Sequence, residues 1–397
     1  MIIREDAMKY VENSQQELIE LIKELCAIPA FSRHEEKRAA FIKEWFAKFG
    51  CEVFIDENLN VILPVDAEGK NELTIFMAHT DTVFPDEIGF ECIEKDGWLC
   101  APGVGDDTTN LAQLMLIARY IVVNKMKCPK GAVIVFNSCE EGLGNLDGSR
   151  KIMDTYKGRV HEFYSFDGGF KGMVNKSVGS TRYRVTVKTE GGHSYGAFGN
   201  RNAIAYASSM ICTLYDFKVP NRGKSTYNVG TIEGGTSVNT IAQEVSFLFE
   251  YRSDDREDLN EMKAFFDSVI QAYQKMGITV EVEIIGERPC MGDVDENHMK
   301  QIIAHVSEVI EHFTHETPGL HSGSTDCNIP YAIGVAGTCF GGYSGDDKKI
   351  ILCAIKKGQL TALKESVFSA DPHAFVIMCD ANEVLGLGFN FHGKKTF

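Results

Sequence analysis

The stretch LTIFMAHTD, Leu73 to Asp81, reads as a buried β-strand that runs straight into a histidine and an aspartate. Ligands of open α/β sheets bind beyond the carboxyl ends of the strands, so His79 and Asp81 stand where a site is expected. Two residues apart on an extended chain, their side chains lie on the same side. Asp81 can then hold one imidazole nitrogen while the other binds a metal. The plainer alternative is a helix-capping aspartate beside an incidental histidine.

Three more stretches have the same form. In APGVGDDTTNLAQLML, Ala101 to Leu116, glycines and the pair Asp106 and Asp107 precede a helix. One acid or threonine there serves as an N-cap, which leaves the other acid over. In FNSCEEGLGN, Phe136 to Asn145, Glu140 and Glu141 follow the apolar run GAVIVF, and in FYSFDGGF, Phe163 to Phe170, another apolar strand ends in Asp167. Each alone reads as a solvated turn. Together they place acids and a histidine at the ends of several strands of one α/β segment, a donor set of carboxylates and imidazole without thiolate that suits Zn²⁺, with Co²⁺ or Mn²⁺ as alternatives. Two cations would also relieve the repulsion among so many acids.

The rest of the chain supplies the frame. Helical periodicity over 8–26 and 35–49, strand-like segments at 51–55 and 73–78, a helix over 109–126 and a strand over 131–138 give the α/β order. From about 181 the texture changes to TRYRVTVKT, a helix near 201–215, STYNVGTI, EVSFLFEYR, a helix near 256–276 and ITVEVEII. Two helices among four alternating strands predict an inserted α+β domain. After ERPCMGD the α/β pattern resumes with a helix over 296–313 and the apolar run YAIGVAGT. The expected division is a catalytic domain over 1–178, the insertion over 179–288, and a second catalytic segment over 289–397 whose tail after about 343 is atypical. With 397 residues, two domains are the natural expectation. A net charge of -16 argues against nucleic acid or an anionic membrane as partner. No apolar run has signal-peptide or membrane-spanning character, so a cytoplasmic location is expected. The 12 cysteines are scattered without a C-x-x-C pair and read as reduced thiols.

The ordered series HTD, GVGDDTTN, CEEG, SFDGG, GGHSYGAFGNRNAI, GGTSVN and GSTD resembles the dinuclear zinc exopeptidase superfamily that includes peptidase T, carboxypeptidase G, acetylornithine deacetylase and succinyl-diaminopimelate desuccinylase. The resemblance runs from the first helix to about residue 343. It implies a zinc-exopeptidase catalytic domain, a mixed sheet flanked by helices, with an inserted α+β lid and dimerisation domain in a homodimer. It also implies two Zn²⁺ per subunit: His79, Asp106 and Asp167 on the first, with Asp81 orienting His79, and Asp106 and Glu141 on the second. Glu140 is implied as the base that takes a proton from the attacking water. His193 is implied as the histidine that supports the oxyanion, in this superfamily typically from the partner subunit. Asn239 and Arg252 resemble substrate or lid positions, and Gly323, Ser324 and Thr325 the loop against the substrate. Aspartate at 167 tilts the expected substrate toward small peptides with a free amino end, an aminopeptidase or di/tripeptidase substrate, over an N-acyl amino acid deacylase's. Thr108 replaces the usual lysine after the acidic pair. The second zinc's histidine is also missing from GTCFGGYSGDDKKI. Asp346, Asp347, His373 and His392 are the substitutes available in sequence, and with none of them the chain would be a catalytically impaired metal-binding homologue.

Overall fold

The computed structural model describes residues 4–86, 91–95 and 97–342. Helices α1 (Glu5–Asn13), α2 (Gln15–Cys26) and α3 (Glu36–Ala47) precede strands β1 (Phe54–Ile55), β2 (Val61–Val65) and β3 (Leu73–His79). A small hairpin of β4 (Ile93–Lys95) and β5 (Trp98–Cys100) leads to α4 (Thr109–Val123), β6 (Ala132–Asn137), α5 (Asp147–Thr155), β7 (Val160–Phe166) and β8 (Gly172–Ser177). Then come β9 (Gly179–Lys188), β10 (Gly192–His193), α6 (Ala203–Tyr215), β11 (Ser225–Gly234), β12 (Thr240–Ile241), β13 (Glu244–Ser253), α7 (Arg256–Lys275) and β14 (Thr279–Arg288). The described chain closes with α8 (Glu296–Thr314), β15 (Gly319–Gly323), α9 (Asn328–Ala332) and β16 (Ala336–Phe340).

A mixed eight-stranded sheet in the order β1-β2-β6-β3-β7-β16-β8-β15 forms the main layer. Its centre, β6-β3-β7-β16, is parallel. Every residue of β6 is buried because both faces of the sheet are covered. Val61, Leu63, Ile134 and Phe136 pack toward α2, α3 and α4, while their neighbours Ile62, Val133 and Val135 pack with Ile152 and Met153 of α5 on the other face. Burying each such aliphatic or aromatic side chain contributes about 1.5–3 kcal/mol.

The segment between β8 and α8 forms a second sheet, β11-β13-β9-β14, with all pairs antiparallel. Here burial alternates: Tyr183, Val185 and Val187 of β9 face a core shared with α6 and α7. Asn202 and Asp255 cap those two helices by accepting from backbone N–H groups of their first turns.

Several local expectations change. The single helix expected over 8–26 is two, because Ser14 leaves helical geometry and its hydroxyl donates to the Tyr10 carbonyl at 2.7 Å. Strand β2 was hidden by Pro64, which is tolerated where it pairs with Val133. The run YAIGVAGT splits, its start lying in α9 and its end in β16, with a turn at Gly334 whose φ is +84°.

Arg38 ties the frame to the strand that carries His79. Its buried guanidinium donates to the carbonyls of Thr80 (2.7 Å), Leu25 (2.9 Å) and Ile28 (2.8 Å). Arg38→Met would strand three buried acceptors and should lower stability by about 3 kcal/mol in denaturant titration. A loss within about 0.5 kcal/mol, the range of ordinary surface changes, would show that these carbonyls find other partners.

Candidate active site

The register of the parallel strands brings the strand ends together. His79 pairs with Asn137 across β3 and β6, Met77 with Ser165 across β3 and β7, and Phe340 with Phe166 across β16 and β7. Continued by two residues, the same register sets Asp167 level with His79. Glu140 and Glu141 follow β6 at the same edge. Ligand atoms of His79, Asp107 and Asp167 all lie within 4.8 Å of one another, as do those of His79, Glu140 and Glu141.

Asp81 organises this group and caps no helix. It is fully buried, its carboxylate accepts from Ser32 Oγ at 2.6 Å, and it also accepts from the backbone N–H groups of Glu140 (3.0 Å) and Glu141 (2.9 Å). The imidazole of His79 places Nδ1 3.0 Å from the Asp81 carbonyl and 3.3 Å from its carboxylate. Nε2 is thereby turned toward Asp106, whose Oδ1 is 3.1 Å away.

The two members of the acidic pair separate. Asp106 is exposed at the rim, whereas Asp107 is buried and accepts from the His79 backbone N–H (3.2 Å) and from Asn110 Nδ2 (2.6 Å). Neither caps α4, which has no side-chain cap. Asp107 is thus a buried anchor, close enough to His79 and Asp167 to count as a further donor, a role not read from sequence.

Two further residues contribute to the site. Asp326, the last residue of GSTD, is buried and accepts from Asn137 Nδ2 at 2.8 Å, while its Oδ1 and the Asn137 Oδ1 have no partner. Arg288, at the end of β14, is the buried cation of the site: it donates to the Glu140 carbonyl and to Ser324 Oγ (3.1 Å) and stands 3.4 Å from the Glu140 carboxylate. The signal for Asp326 lay in a motif already noted; Arg288 sits in ERPC, 148 positions from Glu140, and carried none.

Ser324 therefore meets the site through Arg288, and Gly323 ends β15, where a Cβ would come 2.8 Å from Val174. Arg252 instead forms a fork with Glu250 (3.1 and 3.0 Å) on β13, next to Arg182, which donates to the Gly142 carbonyl at 2.6 Å. His193 and Asn239 come together on the insertion, where Ser194 N donates to the Asn239 carbonyl at 2.9 Å. His193 is exposed, and its Nδ1 accepts from the N–H groups of Tyr195 and Gly196. Among the described residues these two bond only inside the insertion. Asp346, Asp347, His373 and His392 lie outside the described residues.

The electrostatics favour a cation. Burial, reinforced by neighbouring acids, drives Asp107 and Glu140 well above the usual carboxylate range and lifts Asp167; Arg288 only partly offsets this at Glu140. Burial pushes Glu141 up to about 7 and Asp326 up to about 7. At His79 burial acts downward, but hydrogen bonds to Asp106 and Asp81 prevail and set the imidazole well above its ordinary value. The Cys139 thiol, pushed up to about 12 by burial, stays protonated and supplies no thiolate. Oxygen and imidazole donors, unpartnered buried oxygens and an excess of acid fit divalent cations of the Zn²⁺, Co²⁺ or Mn²⁺ kind.

Fold and site together define a metallohydrolase built on a mixed sheet with an inserted antiparallel domain. Residues 75–355 match the model of peptidase family M20/M25/M40, and the chain belongs to that metal-dependent family. Residues 338–386 also match a second model, described as an uncharacterized protein conserved in bacteria (DUF2179). The uncharacterized protein YqjE of Bacillus subtilis is 24% identical over 290 residues, covering 68% of this chain and 76% of that one. The UPF0750 membrane protein YvjA of the same organism is 49% identical over 49 residues, 12% of this chain and 17% of that protein. Among solved structures, aminopeptidase PepT from Bacillus cereus superposes with a TM-score of 0.61 at 23% identity, covering 82% of this chain and 90% of that chain. A tripeptidase from Staphylococcus aureus gives 0.65 at 21% identity, covering 82% and 89%. Among the described residues no helix is long and apolar enough to cross a membrane.

Two outcomes follow from this geometry. Asp81→Asn, which disturbs the acceptor of His79, should weaken divalent-metal affinity on the order of 10- to 100-fold in competition with a chelating dye; undiminished affinity would remove Asp81 from the metal's support. In chelator-treated protein the raised acids contribute stability that is complete below their unfolded pKa near 4 and lost as pH rises through about 7. His79, also raised, acts in the same direction. The melting temperature of metal-free protein should therefore fall between pH 5 and pH 8, and saturating zinc should flatten that slope. A metal-free melting temperature that climbs over this interval contradicts the assignment.

Proposed function

We propose that this chain hydrolyses an amide bond of small peptides, as an aminopeptidase or di/tripeptidase using two Zn²⁺ per subunit. The observation that carries the reading is the convergence of His79, Asp107, Asp167, Glu140 and Glu141 within ligand distance at one sheet edge, with Asp106 against His79 Nε2. His79, Asp106 and Asp167 would hold one cation, Asp106 and Glu141 the other. When bound, such cations supply an acidified water and polarise the scissile carbonyl.

The protein's own groups do the rest. Glu140, buried beside Arg288, takes the proton of the attacking water and returns it to the departing amine nitrogen. Arg288 fixes the Glu140 backbone and Ser324, and so sets the direction of that carboxylate. His193 and Asn239, exposed on the insertion, are suited to reach a neighbouring subunit's site. The 179–288 insertion would then act as lid and dimer contact of a soluble, cytoplasmic homodimer. Aspartate at 167 supports a substrate with a free α-amine. Arg182 and Arg288, which donate to the Gly142 and Glu140 carbonyls of the loop after β6, favour a second reading, deacylation of an N-acyl amino acid whose acyl group is anionic.

A panel of free and N-acylated di- and tripeptides, assayed with zinc-loaded and chelated protein, separates these readings. Cleavage of free peptides alone, abolished by chelator and restored by zinc, cobalt or manganese, is expected. Glu140→Ala should keep the active-site metals and lose on the order of 10² to 10⁴-fold in rate, whereas Asp106→Ala should lose those active-site metals as well. Most of the rate surviving in Glu140→Ala would exclude it as the base, and turnover that outlasts complete metal removal would end the reading.

A further inference from the structure

At the end of β7 remote from Asp167 stands a second set of donors. His161, Glu162 and His298 each offer one ligand atom, all within 4.8 Å of one another, and all three side chains are half-buried. Consecutive residues of a regular strand point to opposite faces. Here the register slips: Leu73 pairs with Val160 but Thr74 with Glu162, so His161 is the extra residue of a bulge. Bulges re-aim side chains, and this one brings His161 Nε2 to 3.6 Å from Glu162 Oε1. From the other side, the first turn of α8 carries His298, whose backbone N–H is bound by Asp295 at 2.7 Å. Its Nε2 lies 3.3 Å from the same Oε1, and the two imidazole rings are 4.5 Å apart.

The distances discriminate between two accounts. Imidazoles that simply donate to a carboxylate would close to about 2.7–2.9 Å. Donor atoms placed about 2.0–2.1 Å from one tetrahedral zinc stand about 3.3–3.4 Å apart. The observed 3.3 Å from His298 Nε2 matches the second spacing, the 3.6 Å from His161 Nε2 lies slightly beyond it, and neither closes to the charge-assisted range. The other carboxylate oxygen accepts from Tyr164 OH at 3.3 Å, an outer partner that leaves Oε1 facing the imidazoles. Lys130 Nζ, 3.2 Å from Oε1, is the competing cation. Its side chain is 40% exposed on a flexible stem and can turn to water. Six residue steps along β7 carry the chain from His161 to Asp167, about 20 Å at 3.3 Å per residue, so the two sites share no ligand.

We propose that His161, Glu162 and His298 bind a single borderline divalent cation of the Zn²⁺ class, which fastens α8 to the bulged start of β7 and takes no part in hydrolysis. A water completes the fourth position. Because the ligands come from two elements separated by the whole inserted domain, the cation binds the folded chain preferentially and stabilises it by mass action.

The test uses the full chain, stripped with chelator and dialysed against zinc, with zinc per chain counted by plasma mass spectrometry. The double variant His161→Ala, His298→Ala should carry one zinc fewer than the wild type and keep wild-type hydrolysis. Asp106→Ala should retain one zinc, and adding Co²⁺ to it should give a visible absorption band that His298→Gln removes in the same background. His298→Gln preserves side-chain length and helix contacts, so it decides the matter if the double variant misfolds. A zinc count in His298→Gln equal to that of the wild type, or a Co²⁺ band untouched by it, overturns the proposal.

Discussion

Carboxylates crowded at the ends of parallel strands are the constraint on which the rest of this structure depends. Asp81, Asp106, Asp107, Glu140, Glu141, Asp167 and Asp326 interact around the His79 imidazole and the buried Arg288 guanidinium. Two like charges 4 Å apart repel by about 4 kcal/mol even at an effective dielectric constant of 20. Without cations such a group stays together only by holding protons, which is the meaning of the raised pKa values of Glu141 and Asp326. With cations the same acids become ligands. The fold supplies the alignment, and the charge excess selects what fills it.

Holding acids in place takes dedicated donors. Asp81 gathers Ser32 and the two glutamate N–H groups, Asp107 is held by His79 N and Asn110, and Arg38 clamps the carbonyl after His79. The insertion reaches the site through its strand ends. Arg252 of β13 pairs in register with Ser180 of β9, and so does Arg288 of β14. Arg288 thereby stands beside Glu140 of the main sheet, and a movement of the insertion would shift the charge facing that carboxylate.

The glycine pair after β16 has a steric reason. A Cβ on Gly341 would lie 1.7 Å from the Gly168 carbonyl oxygen, beside Asp167, while the Gly342 N–H donates to Asn110 at 2.8 Å. Beyond this point the chain departs from the expected pattern, and a different family model begins to match at 338, within the span of the first. The missing histidine of GTCFGGYSGDDKKI therefore falls where two sequence families overlap.

Much of the fold and of the site is legible in the sequence. The apolar runs of β3 and β6, the acids after them and the altered texture of the insertion are local in sequence, because strand burial and alternation are local. His79, Glu140, Glu141 and Asp167 could be proposed from strand ends alone. The split of the first helix, the strand through Pro64, the buried role of Asp107, the cation Arg288 and the paired histidines of β7 and α8 could not. Each depends on a hydrogen bond, a register slip or a contact between segments distant in the chain. Sequence determined which residues sit at strand ends and what charge they bring; only the tertiary structure decided which of them meet, because strand order and register, and not sequence spacing, set the distance between two carboxylates.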